Sequence, residues 1–548
     1  MIRQPRILSI MIGIAFFAVY AVFPNKMHFV DGIVYSYNLE NFPIEYEWHP
    51  HHPLWLPMMQ LLFNLTRTII PGIRSIAFLS FTNAILGGIA IPLFISLVNR
   101  ITKNYRIALW TGIFWGITWG MMTYCSDANI YILILVLILL TSIVLFRGES
   151  LSTRDAILAT AIVIIASLMH QMTFFFTFAV LAIIIIRSQR KTRFKNAVSC
   201  IAIYAIIVIA VNYLVYSIAK PLAEIELETT FLQWLTAYGS TPSWWTIAKE
   251  GLIKAQEIFY FSQMNAFLFT PDSGLIYHAR AYKVDGINPL FMIFHFLIVA
   301  TVVYEIIDLF RNRHQNGLIH QSRILFLVWF LPYFIFNQFY CAFEPHYKLF
   351  FILPLIAMWA IRFHTIKPGR FISIAVPVMI VLLGIWNLSF GMIPNSKHQS
   401  NPFLVDAIDI GTAVEDGDLV LMSITQFYLS SLTRYYTDAD SAPFRRSFGR
   451  FSVVEKGFMD IDARTVDFLN NKYKRILVTD EAFKSKPRIW YFTGFYFPPP
   501  HPPLLALHPL SVEKIGEVKT ESGKILHVVE LNSVIQYRSD DSIKELLD

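Results

Sequence analysis

Acidic, imidazole and amine side chains gather in a few short stretches of this sequence. Asp31 stands in Val30-Asp31-Gly32, Glu40, Glu45 and Glu47 follow it, and three histidines close the same stretch in His49-Pro50-His51-His52-Pro53-Leu54-Trp55. Farther on, Asp127 lies within Tyr124-Cys125-Ser126-Asp127-Ala128-Asn129-Ile130-Tyr131, and His170 sits between two apolar runs. Glu344, His346 and Lys348 occur together in Phe343-Glu344-Pro345-His346-Tyr347-Lys348. A carboxylate within hydrogen-bond reach of a hydroxyl can take its proton, and a cationic side chain can hold the charge that develops on a departing phosphate. Histidines and carboxylates can also share a divalent cation, although loop histidines beside aromatic residues more often serve as hydrogen-bonded structural groups. The sequence carries no glycine-rich phosphate loop and no internal repeat.

The elements that must position these residues are membrane helices. Hydrophobic residues make up 55% of the chain, Phe alone occurs 47 times, and the formal net charge is +7. With a mean hydropathy of +0.51, this exceeds what a soluble core uses. A helix needs about 20 mainly apolar residues to cross the hydrocarbon, and runs such as 131–146 and 371–394 approach or exceed that length. Lys and Arg cluster in short loops between apolar runs rather than along one polar face, so the positive charge carries orientation and gives no nucleic-acid footprint. Cys125, Cys200 and Cys341 have neither metal-ligand spacing nor the number a disulfide framework needs; Cys125 and Cys341 could meet at one membrane face. The first apolar run lacks a small-residue cleavage site and reads as a retained helix.

Basic loops at 99–106, 147–154, 187–195, 311–323 and 362–370, taken with the N-terminal residues as cytoplasmic, require the helices between them to cross in pairs. Spans follow over 7–22, 76–98, 107–123 and 131–146, with a hairpin over 156–186 that turns near His170. Others cover 197–216 and 289–310, a pair flanks the turn 341–346, and 371–394 is the last exit. The run 54–70 has no parity in this count. Its Pro53, Pro57 and Pro71 suit a re-entrant or interfacial helix that starts and ends on the outer side, the alternative being a short hairpin miscounted elsewhere. The expectation is a polytopic α-helical membrane module over 1–395, with about eleven spans and outer loops at 25–52 and 220–288. The second loop holds Trp234, Trp244 and Trp245 and an apolar and basic stretch over 247–261, which reads as an interfacial helix or a packed loop.

After 395 the composition changes. Strand-like runs at 418–422, 475–479 and 525–531, a helix-like piece at 463–471 and a polyproline segment at 498–503 predict a soluble α/β domain over 396–548. The same count places it outside the cytoplasm, where acceptor binding is its expected role. The count also puts Asp31, Glu47, His49, His52, Asp127, His170, His346 and Lys348 at helix ends on one face. Ionisable groups near membrane depth are costly, and their one-sidedness points to a functional site.

In these motifs the chain resembles the GT-C superfamily of polytopic membrane glycosyltransferases that use polyprenyl-phosphate-linked sugars, of the protein mannosyltransferase and aminoarabinose transferase type. The resemblance rests on Asp31 in the first outer loop, on His49-Pro50 leading into Leu54-Trp55, on the stretch 124–131 opening a later helix, and on 343–348 leading into Phe351-Ile352-Leu353-Pro354. It covers about 1–395, and an outer C-terminal domain fits it. The chain departs from the protein mannosyltransferase branch in having Asp31-Gly32 rather than an Asp-Glu pair, and in having Asn129 where an acidic residue is common.

The resemblance implies transfer of a hexose or pentose to a glycan, lipid or protein acceptor, with Asp31 as base. It also implies His346 and Lys348 at the lipid phosphate, and Glu47, His49, His52, Asp127 and His170 around acceptor or donor. No cofactor is required by this reading, and a divalent cation near Asp31 and Glu47 stays open. The bilayer is a partner and nucleic acid is not; a bacterial inner membrane is the expected setting. A secondary transporter, or a non-catalytic envelope assembly scaffold, are the competing readings. A transporter should carry ionisable groups near mid-bilayer and two-fold repetition.

Overall fold

The computed structural model describes residues 3–44, 51–222, 230–232, 289–312, 317–340, 345–366, 368–422, 427–437, 440–443, 471, 473–480 and 512–531. They form two compact units, the first ending at Ser400 and the second beginning at Asn401. Glu47, His49, Glu344, Cys341, the tryptophan-bearing stretch, the helix-like 463–470 and the polyproline segment lie outside the described residues.

The first unit is helical: α1 (Arg3–Val22), α2 (Val30–Asn41), α3 (Trp55–Ile69), α4 (Ser75–Thr102), α5 (Tyr105–Gly116), α6 (Trp119–Cys125), α7 (Tyr131–Leu145), α8 (Thr153–Met169), α9 (Phe174–Arg187), α10 (Arg193–Leu222), α11 (Pro289–Arg311), α12 (Leu318–Tyr340), α13 (Pro345–Ile366) and α14 (Arg370–Asn387). Five of its helical stretches, Ser75–Thr102, Arg193–Ile218, Leu318–Phe336, His346–Ile366 and Arg370–Asn395, are long and apolar enough to cross a bilayer; Arg6–Val22, Tyr131–Leu145 and Gln171–Arg187 are shorter apolar helices. Large apolar side chains such as Ile206 and Leu214 on α10, and Phe371, Met379 and Leu382 on α14, point outward. Water would oppose that arrangement and lipid favours it. The chain is an integral membrane protein.

Close helix approach relies on glycine. A Cβ on Gly13 of α1 would stand 2.5 Å from the Gly88 carbonyl of α4, and one on Gly112 of α5 would stand 2.3 Å from an Ile95 side-chain carbon. The expected outer loop 25–52 is in part a helix, since Ile33, Ser36 and Leu39 of α2 are buried at helical spacing. The single span expected over 107–123 is broken into α5 and α6. Three backbone carbonyls at the break accept side-chain donors, Trp115 O in addition to the Thr118 N–H. Thr118 Oγ1 donates to Trp115 O at 2.7 Å, Tyr20 Oη to Gly116 O at 2.7 Å, and Asn387 Nδ2 to Ile117 O at 2.8 Å. Buried carbonyls left without such donors would be costly.

The 15-residue α3 is about 22 Å long and falls short of a full crossing. Trp55, Leu56, Met59 and Phe63 are buried while Leu61, Leu65 and Ile69 are exposed. Its N-terminal neighbour Leu54 donates its N–H to Leu168 O, and beyond its C-terminus Ser75 Oγ donates to Ser36 O on α2. The entry to α3 is thus tied to the end of α8, and the start of α4, which follows α3, to α2.

The opposite end is sealed by arginine. Arg187 donates to the carbonyls of Leu145, Gly148 and Glu149 and lies over the Phe146 ring, while Arg100 donates to Ile143 and Phe146 carbonyls. Cations at the carbonyl end of α7 complement its dipole. Buried Glu305 of α11 bonds Arg323 of α12 at 2.5 Å and Arg362 of α13 at 3.1 Å, tying the three helices together.

The second unit holds α15 (Pro402–Gly411), β1 (Asp418–Met422), α16 (Phe427–Tyr436), β2 (Asp440–Pro443), β3 (Arg475–Thr479), β4 (Val512–Lys519) and β5 (Ile525–Leu531). The sheet order is β2-β1-β3-β5-β4. β1 runs parallel to β2 and β3, whereas β5 is antiparallel to β3 and β4. Asp418 and Arg475 open β1 and β3 in register, joined by two bonds of 3.0 and 2.6 Å. The hydrogen bonds it donates to the buried Asp418 raise the Arg475 guanidinium above its usual value.

Candidate functional site

Residues 25–31 lead from α1 into α2 and are held by backbone bonds. Asn25 N donates to Ser126 O at 2.8 Å and Lys26 N to Asn395 O at 2.7 Å. Burial draws the Lys26 ammonium below its usual value, and the charge of Asp127 opposes that effect. Asp31 then falls in the first turn of α2, where the helix dipole favours a carboxylate. Tyr35, one turn on, shares its face. Both lie within electrostatic reach of Tyr131.

Tyr131 opens α7 and is nearly fully buried. Its ring stacks on His346 at 4.7 Å and 16°, and lies 5.6 Å from His170 and 6.4 Å from Tyr347. His170 in turn stacks on His52 at 6.0 Å, and His52 meets Tyr35 at 5.2 Å. Phe29 packs on His346 at 4.8 Å. Three separate stretches thus meet the phenol ring, the α2 turn, the tip between α8 and α9 and the first turn of α13, and the entry to α3 joins them as a fourth through His52 on His170.

Each histidine has a local cause for its place. His170 follows the end of α8, and its Nδ1 accepts the Met172 N–H at 3.1 Å, which leaves the proton of the neutral ring on Nε2. Gln171 N donates to His51 O at 2.8 Å, pinning the 51–54 stretch to the same tip. Burial pushes the His51 imidazole down to about 4. His346 and Lys348, both buried, follow Pro345, whose fixed φ suits the first helical position of α13.

Asp31, His52, His170 and His346 are therefore brought to one end of the bundle, and Lys348 lies in the same helical turn as His346. Asp127 is completely buried, and both of its oxygens accept bonds from protein groups, so it does not stand open to a sugar or phosphate as expected for a binding residue. Glu40 is also engaged elsewhere. It pairs with Arg74 and accepts from Ser75 N at 2.7 Å at the start of α4. Glu47 and His49 lie outside the described residues. Among the described residues, no group of three or more His, Cys, Asp or Glu stands placed to hold a metal ion.

Solved structures similar to the chain include the following two. AglB, an archaeal oligosaccharyltransferase from Archaeoglobus fulgidus solved with an inhibitory peptide and a dolichol-phosphate, matches at a TM-score of 0.46 and 11% identity, over 87% of this chain and 69% of its own. ArnT from Cupriavidus metallidurans in the apo state matches at 0.41 and 12% identity, over 95% and 97%. No family model and no curated protein matches the sequence.

Sequence reasoning passed over the aromatic members of the cluster. Tyr35 was signalled by its i+4 spacing from Asp31, and Tyr131 by its place directly after the polar turn 126–129. Tyr347 and Phe29 had no signal beyond adjacency to His346 and Val30.

Proposed function

We propose that the chain is a membrane glycosyltransferase that takes a sugar from a polyprenyl-phosphate donor, with Asp31 as general base. The observation that supports this reading is the gathering of His170, His346 and, through His170, His52 about buried Tyr131, with Asp31 of the first α2 turn within electrostatic reach of the same tyrosine, at one end of a bundle of apolar helices. Asp31 takes the proton of an acceptor hydroxyl as the new oxygen–carbon bond forms at the sugar anomeric carbon. The bond from that carbon to the phosphate oxygen breaks, and its electron pair leaves with the lipid phosphate. Lys348 and His346 oppose the developing charge, which is worth most in a water-poor site. A lipid phosphate is a good leaving group and needs no acid.

Lipid linkage follows from position. A site at the end of membrane helices meets a donor whose chain lies in the same bilayer, whereas a nucleotide sugar stays in water. In this reading the α2 end faces away from the cytoplasm, because the arginine-rich loops lie at the opposite end. The unit from Asn401 then supplies acceptor recognition.

The test offers purified, reconstituted protein radiolabelled sugars linked either to polyprenyl phosphate or to nucleoside diphosphate, with membrane extracts as acceptor source. Transfer from a lipid-phosphate donor alone is expected. Transfer from the nucleotide sugar alone would overturn the donor assignment, and sugar counterflow in vesicles without transfer would favour a transporter.

A further inference from the structure

Asp127 came from the sequence as a binding residue, and its surroundings give it another task. It is fully buried, and three N–H groups converge on its carboxylate. Phe29 N lies 2.7 Å from Oδ2, while His28 Nδ1 at 3.0 Å and Ala128 N at 2.8 Å share Oδ1. Phe29 immediately precedes α2 and provides no side-chain cap for it. The turn that carries Asp31 is thus held from outside its own helix.

The loop that supplies Asp127 is itself rigidly tied. Asn83 of α4 donates to the carbonyls of Asp127 and Asn129, at 2.8 and 2.9 Å. Asn129 donates to Tyr124 O and Asp127 O and accepts from Tyr131 N at 3.0 Å, so the loop also fixes the start of α7. Contact with α2 is direct, since a Cβ on Gly32 would stand 2.0 Å from Ala128 O. One loop therefore sets both the Asp31 turn and the Tyr131 turn. A buried carboxylate whose two oxygens both accept bonds from protein groups suits a clamp.

We infer that Asp127 is a positioning residue that clamps the first turn of α2 through Phe29 and His28 and so holds Asp31 beside Tyr131. This rests on the glycosyltransferase reading for its catalytic consequence, while the clamp itself can be read without activity. Asp127→Asn keeps the shape but turns an N–H toward one of the donors.

The experiment measures kcat, donor KM and amide hydrogen exchange over residues 28–41 for Asp127→Asn, Gly32→Ala and the double variant, in folded, monodisperse protein. His28→Gln, which removes one donor only, stands in if either single variant fails to fold. Expected are faster exchange at the start of α2, kcat lowered by ~10- to 100-fold with donor KM within about threefold, and a double variant little worse than the singles, since all release one turn. Unchanged exchange, or a donor KM raised about tenfold at unaltered kcat, would overturn the inference. Asp31→Asn measured alongside separates the two levels. Should it transfer sugar normally, or wild type transfer none, the proposed function fails while exchange still reads the clamp; should only Asp127→Asn be silent in both readouts, the inference alone fails.

Discussion

Tyr131 is the residue on which the site turns, and its ring and its hydroxyl can be tested apart. Tyr131→Phe should leave stability close to wild type because the stacking with His346 and His170 survives. Tyr131→Ala should cost about 3–5 kcal/mol of stability by opening a cavity at the junction of four segments. Denaturation in detergent checks both, and equal losses would contradict the packing account. His51 gives a pH signature. Burial holds its imidazole at about 4 against 6.5, so between those values the unfolded chain binds more protons, and stability falls as pH drops through that window. His51→Gln should remove up to about 3 kcal/mol of that acid loss, and an unchanged slope would contradict the assignment. At this scale Asp31, His52, His170 and His346 were legible as chemistry-bearing residues. The task of Asp127 was not, because its partners His28 and Phe29 lie almost a hundred positions away and nothing in either stretch announces the pairing.

Elements were legible where a pattern was local. The turn near His170 between α8 and α9, and strands β1, β3 and β5, fall where apolar runs and their breaks predict them. The amphipathic α3, at 15 residues, falls short of a full crossing, and the residues that flank it, Leu54 and Ser75, bond to Leu168 and Ser36. Two elements escaped. α2 was read as loop because Asn38, Glu40 and Asn41 are polar, although its buried Ile33, Ser36 and Leu39 have helical spacing. The break between α5 and α6 was illegible because the groups that satisfy it, Tyr20 and Asn387, come from α1 and the end of α14. Asn387→Leu should leave the Ile117 carbonyl without its donor and destabilise the protein by about 1–3 kcal/mol. A thermal midpoint equal to wild type would show that the break holds without it.

For the whole molecule, composition and charge placement carried most of the reading. Apolar runs between basic loops predicted the bundle, and Arg100 and Arg187 bind helix-terminal carbonyls at the end opposite Asp31. The proposed orientation predicts that, in right-side-out vesicles of a chain whose native cysteines are replaced, Lys397→Cys reacts with an impermeant maleimide. Lys191→Cys should react only after permeabilisation, and the reverse pattern would invert the topology. Charge bias cannot show which outer residues touch one another, since that depends on loop contacts between helices far apart in sequence. The most direct test of the account is donor-dependent sugar transfer by Asp31→Asn beside wild type, at saturating polyprenyl-phosphate sugar in folded protein. The account predicts a fall of ~10²- to 10⁴-fold in kcat with donor binding retained, and transfer at the wild-type rate would contradict it.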